Sequence, residues 1–573
     1  MVQYRCLTFE GRSDRSPKLG AKTPDSSRAG RAVTAGFVAI ALLAPACVGP
    51  FDLSDDKPPL GPVRAACNMP ERWLTRLERG FSRAHSQDIT TVPRTPNFYA
   101  GLPSGGFAGT SHSGVWDYLQ EVPVVLYGPG FIEPQGEVQL DRAVTLADLA
   151  PTAAVLLREQ FPESRSSRAI TAALLPEEER PEPPRLIVNV VWDGGGWNVL
   201  NRWPNRWPFL RQLISGGTSV AGATVGSSPS VTPAAHATIG TGTFPDRHGI
   251  VDVNMRVDGR IGGSWPGGSP RHLEVRTLSD IYDARTDGSA KVGMVAFRTW
   301  HLGMIGHGAY LDGGDKDVAV MFRRNGELFS VGRWYSLPPY LAEVKGWRKD
   351  ARRVDAADGE IDSEWRDEAV LASFQRLIDS PAWLPYQTRL IGTLIRREGF
   401  GGDETPDLLY TNYKQIDLLG HRYNMVNEEI GDAIYYSDVA LRRLVKTVNQ
   451  AVGRNHWVLI LTADHGQQPD ALKVGAWPVS TDELTSDLAR HFEVDESVVL
   501  RWRPSGLWLD SDQLDQVGVS MKEVGRYLMD YSLEDNLSEP EKLPEAFEDR
   551  LDERIFETVL TRRQVRAAAR CTR

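Results

Sequence analysis

Trp457-Val-Leu-Ile-Leu-Thr-Ala463 is an unbroken, largely apolar run that ends in Asp464-His465. A short run of this kind reads as a strand buried on both faces, as in a parallel sheet covered by helices. Open α/β sheets bind their ligands just beyond the carboxyl ends of such strands. Here a carboxylate and an imidazole leave that end together, so divalent-metal chemistry is the first expectation. A structural surface turn is an equal reading of an Asp-His pair alone, and the rest of the chain has to decide.

Leu186-Ile-Val-Asn-Val-Val-Trp192 is a second buried-strand pattern, and it delivers Asp193 into Gly194-Gly195-Gly196, where missing side chains permit close approach. A third, Asp407-Leu-Leu-Tyr-Thr-Asn-Tyr413, leads into Asp417-Leu-Leu-Gly-His421. The i,i+4 spacing puts that carboxylate and imidazole on one face of a helical turn, which suits chelation. Between them, Ser230-Val-Thr232-Pro233-Ala-Ala-His236-Ala-Thr-Ile-Gly-Thr-Gly242 reads as a helix start. Thr232 falls at the N-cap and Pro233 at the first helical position. Taken alone, Thr232 is a capping residue. Beside metals, at the positive end of a helix with free N–H groups, its hydroxyl is a nucleophile for a phosphoryl group.

The 573 residues allow one large α/β domain with a sizeable core, and 24% charged with 41% hydrophobic residues is ordinary for a globular protein. A net charge of -10 argues against a broad nucleic-acid-binding surface. Any attraction for phosphate has to be local. Near the start, Arg28 and Arg31 precede Ala32-Val-Thr-Ala-Gly-Phe-Val-Ala-Ile-Ala-Leu-Leu43, and Ala44-Pro-Ala46 supplies small residues for cleavage. This reads as a secretory signal, the apolar run being short for a membrane span. Cleavage after Ala46 leaves Cys47 first, a candidate lipid anchor, so an exported, extracytoplasmic location is expected.

Asp193 after a strand, Ser230-Val-Thr232-Pro-Ala-Ala-His236, Thr241-Gly-Thr-Phe-Pro-Asp-Arg-His248-Gly-Ile-Val, Asp417-x-x-Gly-His421 and Ala463-Asp464-His465-Gly occur in that order. Together they resemble the alkaline phosphatase superfamily, nearest its type I phosphodiesterase/nucleotide pyrophosphatase branch, over roughly residues 186 to 470. The resemblance implies an α/β fold with a central, mostly parallel sheet flanked by helices, plus a variable insert or cap. It also implies a phosphoric ester hydrolase acting on a small phosphorylated substrate through a phospho-threonine intermediate. Two divalent metal ions, zinc by ligand type, are expected. Asp193, Thr232, Asp464 and His465 surround one; Asp417 and His421 hold the other. Asn254 is similar to the family's donor to a nonbridging phosphoryl oxygen, offset by one residue. His236 and His248 are expected to form structural hydrogen bonds. Where the threonine-based monoesterases carry a Lys-x-Arg pair, only Arg298 offers a charge, which leans toward diesters or pyrophosphates. A monoesterase, a phosphotransferase on cell-envelope molecules and an inactive binding protein stay open as alternatives.

The family supplies one further ligand histidine after Asp-His-Gly, but the only later histidine here is His491, in Leu-Ala-Arg-His-Phe-Glu, expected as a surface helix residue. The family's C-terminal segment is instead similar to Gly109-Thr-Ser-His112-Ser, Val122-Pro-Val-Val-Leu-Tyr-Gly-Pro-Gly130 and Asp148-Leu-Ala-Pro-Thr152. The implied arrangement is a circular permutation with His112 completing the second metal site. It divides the chain into a targeting segment 1–46, a linker 47–66, a permuted C-terminal part 67–165 and a linker 166–185. A catalytic core 186–470 with a variable insert at about 255–400 follows, then a cap or remaining part 471–573. Pro176-Glu-Glu-Glu-Arg-Pro-Glu-Pro-Pro184 is expected not to pack. Trp265, Trp300, Trp334 and Trp347 in the insert are expected as core contacts. Permutation also implies that Cys67 and Cys571 are neighbours, and an exported compartment permits a disulfide between them.

Overall fold

The computed structural model describes residues 61–99, 111–162, 166–180, 182–366, 368–540 and 543–572. The expected targeting segment, Cys47 and most of the 47–66 linker lie outside the described residues. In chain order the strands are β1 (Ile89–Pro93), β2 (Phe98–Tyr99), β3 (Val124–Tyr127), β4 (Gly136–Val138), β5 (Leu186–Trp192) and β6 (Thr218–Val220). Then come β7 (Asn254–Val257), β8 (Arg260–Gly263), β9 (Val292–Ala296), β10 (Val318–Phe322), β11 (Leu328–Phe329) and β12 (Asp407–Tyr413). The remainder are β13 (Trp457–Thr462), β14 (Pro478–Val479), β15 (Val499–Arg503), β16 (Gly506–Leu509) and β17 (Phe556–Thr561).

Nine strands make one sheet in the order β11-β10-β9-β12-β5-β13-β3-β6-β4. Its centre, from β10 to β13, is parallel throughout. β3 runs antiparallel to both its neighbours. The apolar runs are explained by burial on both faces. Along β5, Leu186, Val188, Val190 and Trp192 join one core, with Leu390 and Leu394 of helix Trp383–Glu398 and Leu441 and Leu444 of helix Glu428–Ala451. Ile187 and Val191 join the opposite core, with Ala153 of helix Leu149–Leu156 and Ala235 and Ile239 of helix Thr232–Thr241. The period-two alternation thus assigns one strand to two cores. Each such side chain contributes roughly 1.5–3 kcal/mol on burial, and a charge at Val190 would disrupt that packing.

Three boundaries differ from the sequence reading. The 255–400 stretch is not separate from the sheet: it supplies β9, β10 and β11, because Val292-Gly-Met-Val-Ala296 and Val318-Ala-Val-Met-Phe322 are themselves largely buried apolar runs. Residues 62–66, read as linker, form helix Pro62–Cys67 with Ala65 and Ala66 buried. In the 166–185 linker, Ile170, Ala173 and Leu174 join the second core and Arg180 is buried, its Nε donating to the Leu175 carbonyl at 2.9 Å. Glu177, Glu178 and Glu179 do stay exposed. Trp265 is buried, while Trp300, Trp334 and Trp347 pack at the core margins.

Residues 471–572 form, with β1, a four-stranded sheet in the order β15-β16-β1-β17, antiparallel throughout. Cys67 and Cys571 form a disulfide across 504 positions, with Cα atoms 5.5 Å apart. Among the described residues no helix is long and apolar enough to cross a membrane.

Candidate metal centre

β12, β5 and β13 are parallel neighbours, so their carboxyl ends open on one side of the sheet. β5 ends at Trp192 and presents Asp193; β13 ends at Thr462 and presents Asp464 and His465; β12 ends at Tyr413 and runs into helix Gln415–Tyr423, which carries Asp417 and His421. The three strand ends stand close because Gly194 has φ +71° and no side chain: a Cβ there would lie 3.0 Å from the Asp417 Cα. Its N–H donates to Asp464 Oδ1 at 3.0 Å.

Two clusters result. His465 Nε2 stands 3.3 Å from Asp464 Oδ2 and 3.7 Å from Asp193 Oδ1. Asp417 Oδ1 stands 3.3 Å from His421 Nε2 and 3.5 Å from His112 Nε2. His112 comes from the N-terminal quarter of the chain and stacks on His465, ring centroids 3.5 Å apart. All are buried except His421, which is exposed and opens the centre to solvent. Asp193, Asp464 and His465 are the ligand-like group on one side; His112, Asp417 and His421 are that on the other.

The residues fit divalent ions. The Nδ1–H of His465 donates to the Gly466 carbonyl at 2.9 Å and that of His112 to the Ser230 carbonyl at 3.1 Å. Each ring therefore turns the lone pair of Nε2 toward carboxylate oxygens, a repulsive arrangement that a cation reverses. His465 Nε2, Asp417 Oδ1 and Asp464 Oδ2 are buried without a hydrogen-bond partner. Ligand atoms about 2.0–2.2 Å from a tetrahedral zinc stand roughly 3.3–3.6 Å apart, close to the spacings here. Burial holds the His112, His465, His236 and His301 imidazoles below their ordinary pKa, hence neutral. Burial and the neighbouring Asp193 raise Asp464 well above the ordinary carboxylate range.

Thr232 is the first residue of helix Thr232–Thr241, with Val231 at the N-cap, one position later in the helix than the sequence suggests. Its hydroxyl makes no capping bond and instead accepts from Lys414 Nζ at 3.1 Å. Lys414 was not singled out by sequence. Its buried ammonium also donates to Asp193 Oδ1 at 2.7 Å and pairs with Asp417 Oδ2 at 2.7 Å. Burial opposes the charge, yet Asp193, Asp417 and Asp464 together raise its pKa above the ordinary lysine value. Lys414 thus joins both clusters and the hydroxyl. Asn412 and His301 were missed as well. Asn412 Nδ2 donates to Asp193 Oδ2 at 2.7 Å, and His301 Nε2 lies 3.5 Å from the same oxygen. Gly240 and Gly303 let helix Thr232–Thr241 touch the Thr299–Met304 turn, since a Cβ on Gly240 would fall 2.1 Å from the Gly303 carbonyl oxygen. A lysine directly after a fully buried strand, and an asparagine inside it, were the available signals.

His236 donates from Nδ1 to the Thr232 carbonyl at 2.8 Å and accepts from Asn412 at Nε2, 3.1 Å. His248 bonds the Thr238 hydroxyl and the Ile250 N–H. Both match the expected structural roles, and His236 additionally faces Asp464 at 3.7 Å. His491 is exposed on helix Thr481–Phe492 and stacks on Tyr527. Asn254 begins the β7–β8 hairpin, where Oδ1 accepts from Arg503 of β15; no hydrogen bond joins it to Thr232. Arg298 is half-buried over the Phe297 and Trp300 rings.

Residues 187–560 match the family described as type I phosphodiesterase / nucleotide pyrophosphatase. A calcium-transporting ATPase of Myroides odoratus is 22% identical over 343 residues, 50% of this chain and 61% of that protein. Alkaline phosphatase PhoV of Synechococcus elongatus is 22% identical over 335 residues, 49% of this chain and 59% of that one. The chain thus spans about three fifths of the length of these relatives. Among solved structures, wild-type alkaline phosphatase PafA aligns with a TM-score of 0.47 and 17% identity over 66% of this chain and 84% of that one.

Proposed function

The chain belongs to the type I phosphodiesterase/nucleotide pyrophosphatase family, and on that premise we propose that it is a metal-dependent phosphoric ester hydrolase whose nucleophile is Thr232. The observation that carries this reading is the meeting of buried, unpartnered His465 Nε2, Asp464 Oδ2 and Asp417 Oδ1 beside the Thr232 hydroxyl that Lys414 holds. Asp193, Thr232, Asp464 and His465 are the residues to hold one divalent ion, and Asp417, His421 and His112 the other. Imidazole and carboxylate donors suit zinc. When bound, the ions lower the proton affinity of the hydroxyl and offset phosphoryl charge.

The chain's own groups do the rest. Thr232 Oγ forms the bond to phosphorus as the bond to the leaving oxygen breaks; water then cleaves the threonine–phosphate bond and restores the hydroxyl. Lys414 aims Oγ by its 3.1 Å hydrogen bond and keeps a fixed positive charge at the attacking atom. The free N–H groups opening helix Thr232–Thr241 favour the anionic group. Asn254 is assigned to a nonbridging oxygen: Arg503 binds its Oδ1, which leaves the amide N–H groups for substrate. With Arg298 the one cation carried where monoesterases have two, diesters or pyrophosphates are the preferred class.

Three features support the permuted reading: β3 beside β13, His112 beside Asp417, and the Cys67–Cys571 disulfide. The disulfide also suits an exported protein. Lipidation at Cys47 is part of the same proposal. A panel of aryl monoesters, aryl diesters and nucleotides, run with purified protein at defined zinc, tests the function. Zinc-dependent turnover, fastest on diesters or nucleotides, is expected; no turnover on any phosphate ester would overturn it.

A further inference from the structure

Outside this centre, one group of acids among the described residues stands without a counter-charge of its own: Asp283, Asp315 and Asp317. Asp283 lies on helix Leu278–Thr286, and Asp315 and Asp317 lie on the glycine-containing approach to β10, Leu311-Asp-Gly-Gly-Asp-Lys-Asp317. One carboxylate oxygen from each meets within 4.8 Å of the others. Asp283 and Asp317 are each only 7% exposed, while Asp315 faces solvent. Asp283 Oδ1 is buried without a hydrogen-bond partner. The nearby cation does not serve them: Lys316 Nζ donates to the Gly332 carbonyl. Asp280, on the same helix, is committed elsewhere, to Thr277 and His307.

We infer that Asp283, Asp315 and Asp317 form a binding site for a hard divalent cation, calcium, that pins the 311–317 loop to helix Leu278–Thr286. Three like charges at this spacing destabilise one another unless a cation lies between them. The ligands are all oxygens, which favours calcium over zinc, and the exposed Asp315 leaves room for the waters that complete a calcium shell. Burial and the neighbouring acids push Asp283 up to about 6 and Asp317 well above the carboxylate range, the strain that a bound cation relieves. The site is independent of the catalytic reading, because it shares no residue with the zinc ligands proposed above.

The test is calorimetric calcium titration and thermal unfolding of the full chain in saturating zinc, with magnesium as comparator. The expected result is one saturable calcium per chain and a Tm rise of about 2 °C or more, with magnesium much weaker. Asp317→Asn and Asp283→Asn should each weaken calcium binding at least tenfold and remove the Tm response. Should Asp317→Asn be poorly folded, Asp315→Asn, at the exposed position, gives the same readout. Wild-type protein that binds no calcium, or variants that bind it as tightly as wild type, would overturn the inference. So would an asparagine variant that raises Tm while wild type ignores calcium, since the acids would then be sharing a proton.

Discussion

The carboxyl edge of the nine-stranded sheet and the four-stranded sheet are both completed by the same N-terminal stretch, in opposite ways. To the large sheet it gives β3 and His112, and the polar groups there are left unpaired: His465 Nε2, Asp464 Oδ2 and Asp417 Oδ1 have no partner. To the small sheet it gives β1, and the carboxylate that precedes that strand is paired, although Arg256 Nε and Arg503 Nε beside this sheet are also buried without a hydrogen-bond partner. Asp88 takes Arg256 at 2.5 Å, Arg562 at 3.5 Å and the Leu509 N–H at 2.9 Å. Arg76, buried, donates to Asp117 and the Val115 carbonyl. Native proteins leave buried polar groups unsatisfied mainly where something else is to bind. The unpaired atoms at the large sheet's edge are imidazole and carboxylate atoms, those beside the small sheet guanidinium nitrogens, and on that difference of donor type the first reads as chemistry and the second as architecture.

The sharpest way to break that contrast is Thr232→Ala. Turnover should fall by at least about 10³-fold, with zinc content and Tm unchanged and Thr232→Ser partly active; wild-type rates in the alanine variant would sink the nucleophile assignment. Next is His112→Ala, which asks whether the N-terminal stretch serves chemistry. Elemental analysis should show about one zinc lost per chain, and turnover should drop at least about 100-fold; full zinc retention would return His112 to the architectural side. Lys414→Met should lower kcat by roughly 10–100-fold with zinc retained, and Lys414→Arg should recover part of it. Loss of zinc in the methionine variant would make Lys414 a support of the metal cluster rather than of Thr232.

On the architectural side the order of effects reverses. Cys67→Ser with Cys571→Ser should cost about 2–4 kcal/mol in denaturant unfolding while kcat at 25 °C stays within twofold. Equal losses in activity would erase the distinction between the regions. The smallest effect belongs to the seam between them, where His85 bonds the Arg256 carbonyl at 2.7 Å and Glu274 at 3.0 Å. The hydrogen bond to Glu274 raises the His85 pKa above its ordinary value, against partial burial. A raised histidine pKa stabilises the fold fully below the unfolded value of about 6.5, and that gain is lost as pH rises through the folded value. Wild type should therefore exceed His85→Gln by under about 1 kcal/mol at pH 5.5, the gap closing above neutrality. A gap that widens with pH would contradict the pairing.

Much of the large sheet was legible because its signals are local. Apolar runs that are buried on both faces look the same in any window; Asp193 follows its strand directly, Asp464 follows one residue on, and Asp417 lies in the first turn of the helix after β12. For the small sheet the sequence offers only a cap or remaining part at 471–573. β1 pairs with segments more than 400 positions away, at β16 and β17, and Ile89-Thr-Thr-Val-Pro93 carries nothing that names those partners. The 255–400 stretch was read as an insert because it departs from the family motifs, although β9 and β10 are as apolar as β13. Motif similarity reports chemistry, whereas sheet membership depends on burial.

By itself the sequence determined the strand-to-ligand order, the Asp417–His421 turn and the exposed place of His491, because each depends on periodicity within a few residues. Family resemblance, not spacing, suggested His112 and the Cys67–Cys571 pairing. Only the tertiary structure decided that Lys414 bridges both clusters and reaches Thr232, that His301 and Asn412 flank Asp193, and that Asp283 meets Asp315 and Asp317. The physical reason is that, apart from Lys414 with Asp417 and Asp315 with Asp317, these contacts join residues from about 30 to more than 200 positions apart. Strand order and the close approach of glycines at 194, 240 and 303 set such distances, and no local pattern of side chains encodes them.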